Sequence, residues 1–138
     1  MHMIVKTRTI QINTKGEDDM IDVTSHTAAA IKESEIKNGI TTIFVSGSTA
    51  AVTTIEFEPG LKHDFPQMLS RVAPQAEKYE HDNAWHDGNG HSHVRASLVG
   101  PSLTVPFKNF NLLLGIWQQI VILEMDMFTE SSTSMYAA

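Results

Sequence analysis

Apolar and polar positions change rhythm several times along the chain, and each change predicts an element. Residues 4–12 alternate, with Ile4, Lys6 and Arg8 on one side, Val5, Thr7 and Thr9 on the other, and many β-branched side chains. This predicts a first strand, ended by the polar stretch 13–16. Met20, Ile21, Val23, Ala28 and Ile31 then follow a helical spacing that stops at Asn38-Gly39, so a helix is expected over about 22–37. Residues 40–45 and 51–57 have strand composition and are separated by Ser46-Gly47-Ser48, with a turn at Glu58-Pro59-Gly60. A short helix is expected over 61–71, with Pro66 in its first turn. Residues 75–89 are polar and read as a long loop, a common place for function.

Alternation returns in residues 91–99, which predicts a strand. Leu103 to Phe107 reads as another strand, 109–111 as a turn, and 112–124 as a long apolar strand or strand pair. The Ser/Thr/Met-rich stretch 127–138 is expected to be a flexible tail. With no repeat and no linker, residues 1–138 form a single α+β domain, expected as a mixed or antiparallel β-sheet sandwich with about two helices.

Composition narrows the chemistry. The chain is 41% hydrophobic and 19% charged, which suits a packed globule. Its net charge is −6 and its basic residues do not cluster, so nucleic acid is not an expected partner. The apolar run 112–123 is too short and polar to span a membrane, and the expected location is cytoplasmic. With no cysteine, any metal must be held by His, Asp or Glu. Five of the seven histidines, His63, His81, His86, His91 and His93, fall in one stretch; His2 and His26 read as surface positions.

On a strand, His91 and His93 would share one face and converge on a metal or an anion. His81 or His86 from the preceding loop would be a third ligand, with Asp82 or Asp87 as a further ligand or an orienting group. Gly47-Ser48-Thr49 offers hydroxyls and backbone N–H groups of the kind that hold phosphate. Glu56 and Glu58 share a strand face, where a carboxylate serves as a general base or a solvated edge charge. Trp117 reads as core, and one amide of the Gln118-Gln119 pair would face a site or a subunit interface.

Several blocks together resemble one family. They are Ser48-Thr49-Ala50-Ala51 to Glu56, Tyr79-Glu80-His81, the run from Gly88-Asn89-Gly90-His91-Ser92-His93 to Pro106, and Leu114-Gly115-Ile116-Trp117-Gln118-Gln119-Ile120. In order and spacing they resemble the YjbQ-like family, from about Ile4 to Asp126. The resemblance implies a YjbQ-like fold assembling as a homotrimer, with its pocket near the subunit interface. It also implies a secondary thiamine-phosphate synthase activity, joining a pyrimidine diphosphate to a thiazole phosphate with release of pyrophosphate.

On that reading His81, His93, Glu56 and Gln118 are the catalytic candidates. Ser48, Thr49, His91 and Trp117 would bind the phosphate substrate, and His81, His91 and His93 a divalent metal ion, zinc or magnesium. Two departures from the family pattern stand out. Gly47 occupies a place where many members carry histidine, and Phe128-Thr129-Glu130-Ser131-Ser132 stands where many carry arginines. The alternatives are a trimeric metal- or small-ligand-binding protein, and a purely structural trimer with dispersed histidines.

Overall fold

The computed structural model describes residues 3–128 and, as backbone, 132–137. In chain order the elements are β1 (Arg8–Asn13), β2 (Met20–Asp22), α1 (Thr24–Ser34), β3 (Asn38–Ser46), β4 (Ala50–Ile55), α2 (Pro59–Val72), α3 (Glu80–Trp85), α4 (Gly90–Val99), β5 (Ser102–Lys108), β6 (Asn111–Leu112), β7 (Gln119–Glu124) and β8 (Ser132–Ala137). The α+β class holds, with four helices among the described residues where about two were expected. The strands form a five-stranded sheet of order β1-β8-β3-β5-β6 and a three-stranded sheet of order β2-β7-β4. Every described strand pair is antiparallel.

Period-two alternation explains the layers. In the small sheet, Ala50, Val52, Ile120 and Ile122 share a core with Ile12, Ile43, Val45 and Val105 of the large sheet. The intervening Ala51, Val121 and Leu123 point the other way and pack with Leu69 of α2 and Ala96 of α4. The small sheet is therefore covered on both faces, which is why β7 reads as a continuous apolar run rather than an alternation. The domain is a two-sheet sandwich with α2 and α4 on the back of the smaller sheet.

Four expectations change. Residues 91–99 are the helix α4, not a strand. The expected loop 75–89 contains α3. Pro59 takes the first position of α2 and Pro66 lies inside the helix, not in its first turn. Glu58 is the N-cap, accepting from the Gly60 and Leu61 amides, which satisfies two donors that the helix start leaves unpaired. Within the expected flexible tail, residues 132–137 are the strand β8, between β1 and β3. Thr129, Glu130 and Ser131, and also His2, lie outside the described residues.

Candidate metal centre

The centre is built by two helix starts held against each other. α3 carries Glu80 and Asp82 in its first turn, where carboxylates favour the positive end of the helix dipole. Asp82 Oδ1 accepts the Gly90 amide at 2.8 Å and so ties α3 to the beginning of α4. Gly90 permits this approach, because a Cβ there would lie 2.5 Å from the Tyr79 Cβ. Between the helices His86 and Gly88 both adopt positive φ and reverse the chain in a few residues. Asn89 is buried, and its side-chain oxygen accepts the Met127 amide at 3.4 Å.

This clamp brings three ligand-type side chains together. His81, Asp87 and His93 each offer one ligand atom, all within 4.8 Å of one another. The His81 and His93 rings stand 4.3 Å apart between centroids, tilted by 48°. His81 Nε2 lies 3.5 Å from Asp87 Oδ2, yet is buried and has no hydrogen bond. A buried ring nitrogen without a partner is costly, and a cation between it and the carboxylate would resolve that cost. The Asn89 amide, donating to Asp87 at 3.1 Å, holds the Asp87 carboxyl below the usual carboxylate range. It prevails over desolvation with further help from His81. Two imidazoles and a carboxylate are donors suited to zinc and related divalent ions, and three protein ligands leave a position open.

The other expected residues are not among these three grouped side chains. His91 does not join it, because two residues along a helix turn the side chain by about 200°. His91 is 0% exposed and donates through Nε2 to Glu17 Oε1 at 2.8 Å. Arg95, one turn further on the same face, donates to the same oxygen at 3.1 Å and to the Ala73 carbonyl at 3.0 Å. Glu17 was not singled out in the sequence; it lies 74 residues from His91, and no spacing links them.

Ser48 is exposed, and the Thr49 hydroxyl donates to Asp126 Oδ2 at 3.2 Å. Glu56 is exposed beyond the far end of β4, about 20 Å along the chain from Thr49 at strand rise. Gln118 donates to Thr54 Oγ1 at 3.0 Å and accepts the Gly115 amide at 3.0 Å, fixing a surface loop. Trp117, expected in the core, is 68% exposed on that loop. His63 and His86 are exposed, as is His26 on α1. Of the expected metal set, His81 and His93 meet and Asp87 takes the third place.

A two-sheet antiparallel sandwich with two helix starts clamped on its back defines an α+β domain with, among the described residues, one candidate His/Asp centre. Residues 8–136 match the family described as UPF0047 protein YjbQ-like, and the chain belongs to that family. A UPF0047 protein of Methanocaldococcus jannaschii is 38% identical over 117 residues, covering 84% of this chain and 82% of the relative. UPF0047 protein YugU of Bacillus subtilis is 36% identical over 121 residues, covering 86% and 89%. Among solved structures, a YbjQ-like protein of unknown function from Sulfolobus solfataricus superposes with a TM-score of 0.82 at 28% identity, covering 96% of both chains. A hypothetical protein of Aeropyrum pernix gives 0.84 at 26% identity, covering 95% and 96%. Among the described residues no helix is long and apolar enough to cross a membrane.

Proposed function

We propose that His81, Asp87 and His93 hold a divalent metal ion, zinc or magnesium, and that this centre binds the anionic group of a small phosphate-bearing substrate. The buried Nε2 of His81, 3.5 Å from Asp87 Oδ2 and without a hydrogen bond, carries the reading. An ion held there would supply Lewis acidity and neutralise charge on a phosphate or diphosphate oxygen. Asp87 contributes the negative charge, and the two imidazoles bind as neutral ligands. Trp85, one helical turn from His81, is 73% exposed and offers a flat apolar face beside the centre for a planar ring.

The finer reading is a secondary thiamine-phosphate synthase-like enzyme, joining a pyrimidine diphosphate to a thiazole phosphate with release of pyrophosphate. The family resemblance and the Trp85 face support it. The rival reading is a trimeric metal- or small-ligand-binding protein. It is favoured by the carboxylates Glu80, Asp82 and Asp87 around the centre and by the engagement of Arg95 with Glu17, which leaves that cation turned away from any phosphate. A homotrimer is supported by the exposed apolar side chains Leu113, Ile116 and Trp117 on one loop, and light scattering of the purified chain checks it. A cytoplasmic location remains part of the proposal.

The deciding experiment uses untagged protein. Metal analysis should give close to one equivalent per chain, falling with His93→Ala; below about one-tenth of an equivalent the metal reading fails. Metal-loaded protein is then given both thiamine precursors. Thiamine phosphate formed no faster than by His93→Ala would reject the synthase reading and leave the binding reading.

A further inference from the structure

A cavity lies far along the sequence from the histidines. It occupies about 390 Å³ between the extended segment 3–8, the end of α1 and the first half of β3. It exists because the chain leaves α1 abruptly. Glu35 caps the helix in the left-handed conformation at φ 61°, and the Ser34 hydroxyl accepts the Ile36 amide at 3.0 Å. The sharp exit leaves a notch between α1 and β3. Its floor is apolar, with Ala30, Ile31, Ile36 and Phe107, and Gly39 keeps it open: a Cβ there would stand 3.1 Å from the Phe107 ring.

Charge distinguishes the rim. Lys6 and Arg8 line the cavity. Lys32 and Lys37 lie on the adjoining end of α1 and the turn after it, and Lys108 is the register partner of the lining residue Asn38. Half of the ten Lys and Arg of a chain with net charge −6 therefore sit in the bounding segments, beside only two carboxylates, Glu33 and Glu35. Glu33 is taken up by Arg8, whose Nε stands 3.3 Å from it. Lys6 is the lining cation with no carboxylate partner among the described residues.

We propose that this cavity binds a small amphipathic carboxylate, with its alkyl tail on the Ile31, Ile36 and Phe107 floor and its carboxylate at Lys6. An apolar recess of this size with one well-placed charge is an ordinary small-ligand site, and the surplus of cations selects an anion. The inference is independent of the metal centre.

Calorimetric titration of the full chain with decanoate, below its micelle concentration, tests it against decan-1-ol, which has the same tail and no charge. One saturable site per chain is expected. Lys6→Glu, an exposed change, should weaken decanoate about tenfold and leave decan-1-ol within about twofold, as expected when an attractive surface charge becomes repulsive. Ala30→Met, filling the floor, should weaken both ligands. Absence of saturable decanoate binding, or equal decanoate affinity in Lys6→Glu, overturns the proposal. So does an assembly that splits on Ile4→Asp while decanoate fails to bind, which would assign the recess to a second copy.

Discussion

His91 and His93 stand two residues apart on α4, yet they face opposite demands. His91 is sealed inside, with its Nε2 proton committed to Glu17, which Arg95 also binds. His93 is half-buried and faces His81 and Asp87. The inner, closed face of the helix pairs its charges with Glu17, leaving His91 Nδ1 without a hydrogen bond; the outer face groups the side chains proposed above to hold a metal. One helix turns near-identical sequence positions into an anchor and a proposed metal ligand by rotation alone.

The comparison breaks hardest at Glu17. Glu17→Ala leaves His91 and Arg95 buried without their shared carboxylate, and should cost about 3–5 kcal/mol in urea unfolding while the folded fraction still takes up metal. His93→Ala should do the reverse. Metal affinity falls at least about 100-fold by competition titration, the upper range for weaker outer-shell changes, while stability without metal stays within about 0.5 kcal/mol. Gly90→Ala affects both faces, since its methyl group meets Tyr79; a loss of about 1–3 kcal/mol with weakened metal uptake is expected from thermal unfolding and metal titration.

Asp87→Asn sharpens the distinction through pH. The carboxyl of Asp87 is held low, so its stabilisation is fully present above about pH 4, the unfolded value, and is lost as pH falls through its lower folded value. The variant should show less acid-dependent loss in denaturation curves at successive pH values, with metal affinity at neutral pH down about tenfold.

Asp18, near Arg95 on the closed side, behaves oppositely. Burial first, and then repulsion from Glu17, push its carboxyl up, against the pull of Arg95 and His91. Its favourable contribution is present at low pH and lost as pH rises from about 4 through the raised folded value. Asp18→Asn should therefore be neutral or stabilising at pH 7, by no more than about 0.5 kcal/mol.

The sheets were largely legible in the sequence, because β3, β4, β5 and β7 bury β-branched runs bounded by turns. α4 was not, and the reason is physical. Its buried side chains include the polar His91, Ser92 and Arg95, while the apolar Val94 and Leu98 are exposed. An inverted pattern hides helical periodicity, and the alternation of His91-Ser92-His93-Val94 imitates a strand. The boundary signals were present: Asn89 at the N-cap and Gly100-Pro101 at the end. His81 and His93 could be picked out by residue type, and Asp87 was one of two acidic candidates. Glu17 needed the fold, because its role exists only once β1, β2 and α4 meet.

The position of β8 has a consequence for how the chain is made. β1 and β3 both pair with β8, and among the described residues β1 has no other strand partner. Both neighbours leave the ribosome more than 80 residues before β8, so the large sheet cannot close until β8 has been made. β1 must wait as an unpaired edge until its partner emerges, and edges of that kind recruit other chains. The long loop that β8 closes slows folding further. Synthesis therefore passes through a window in which the small sheet and its helices can already pack while the large sheet depends on chaperones or on the speed of elongation.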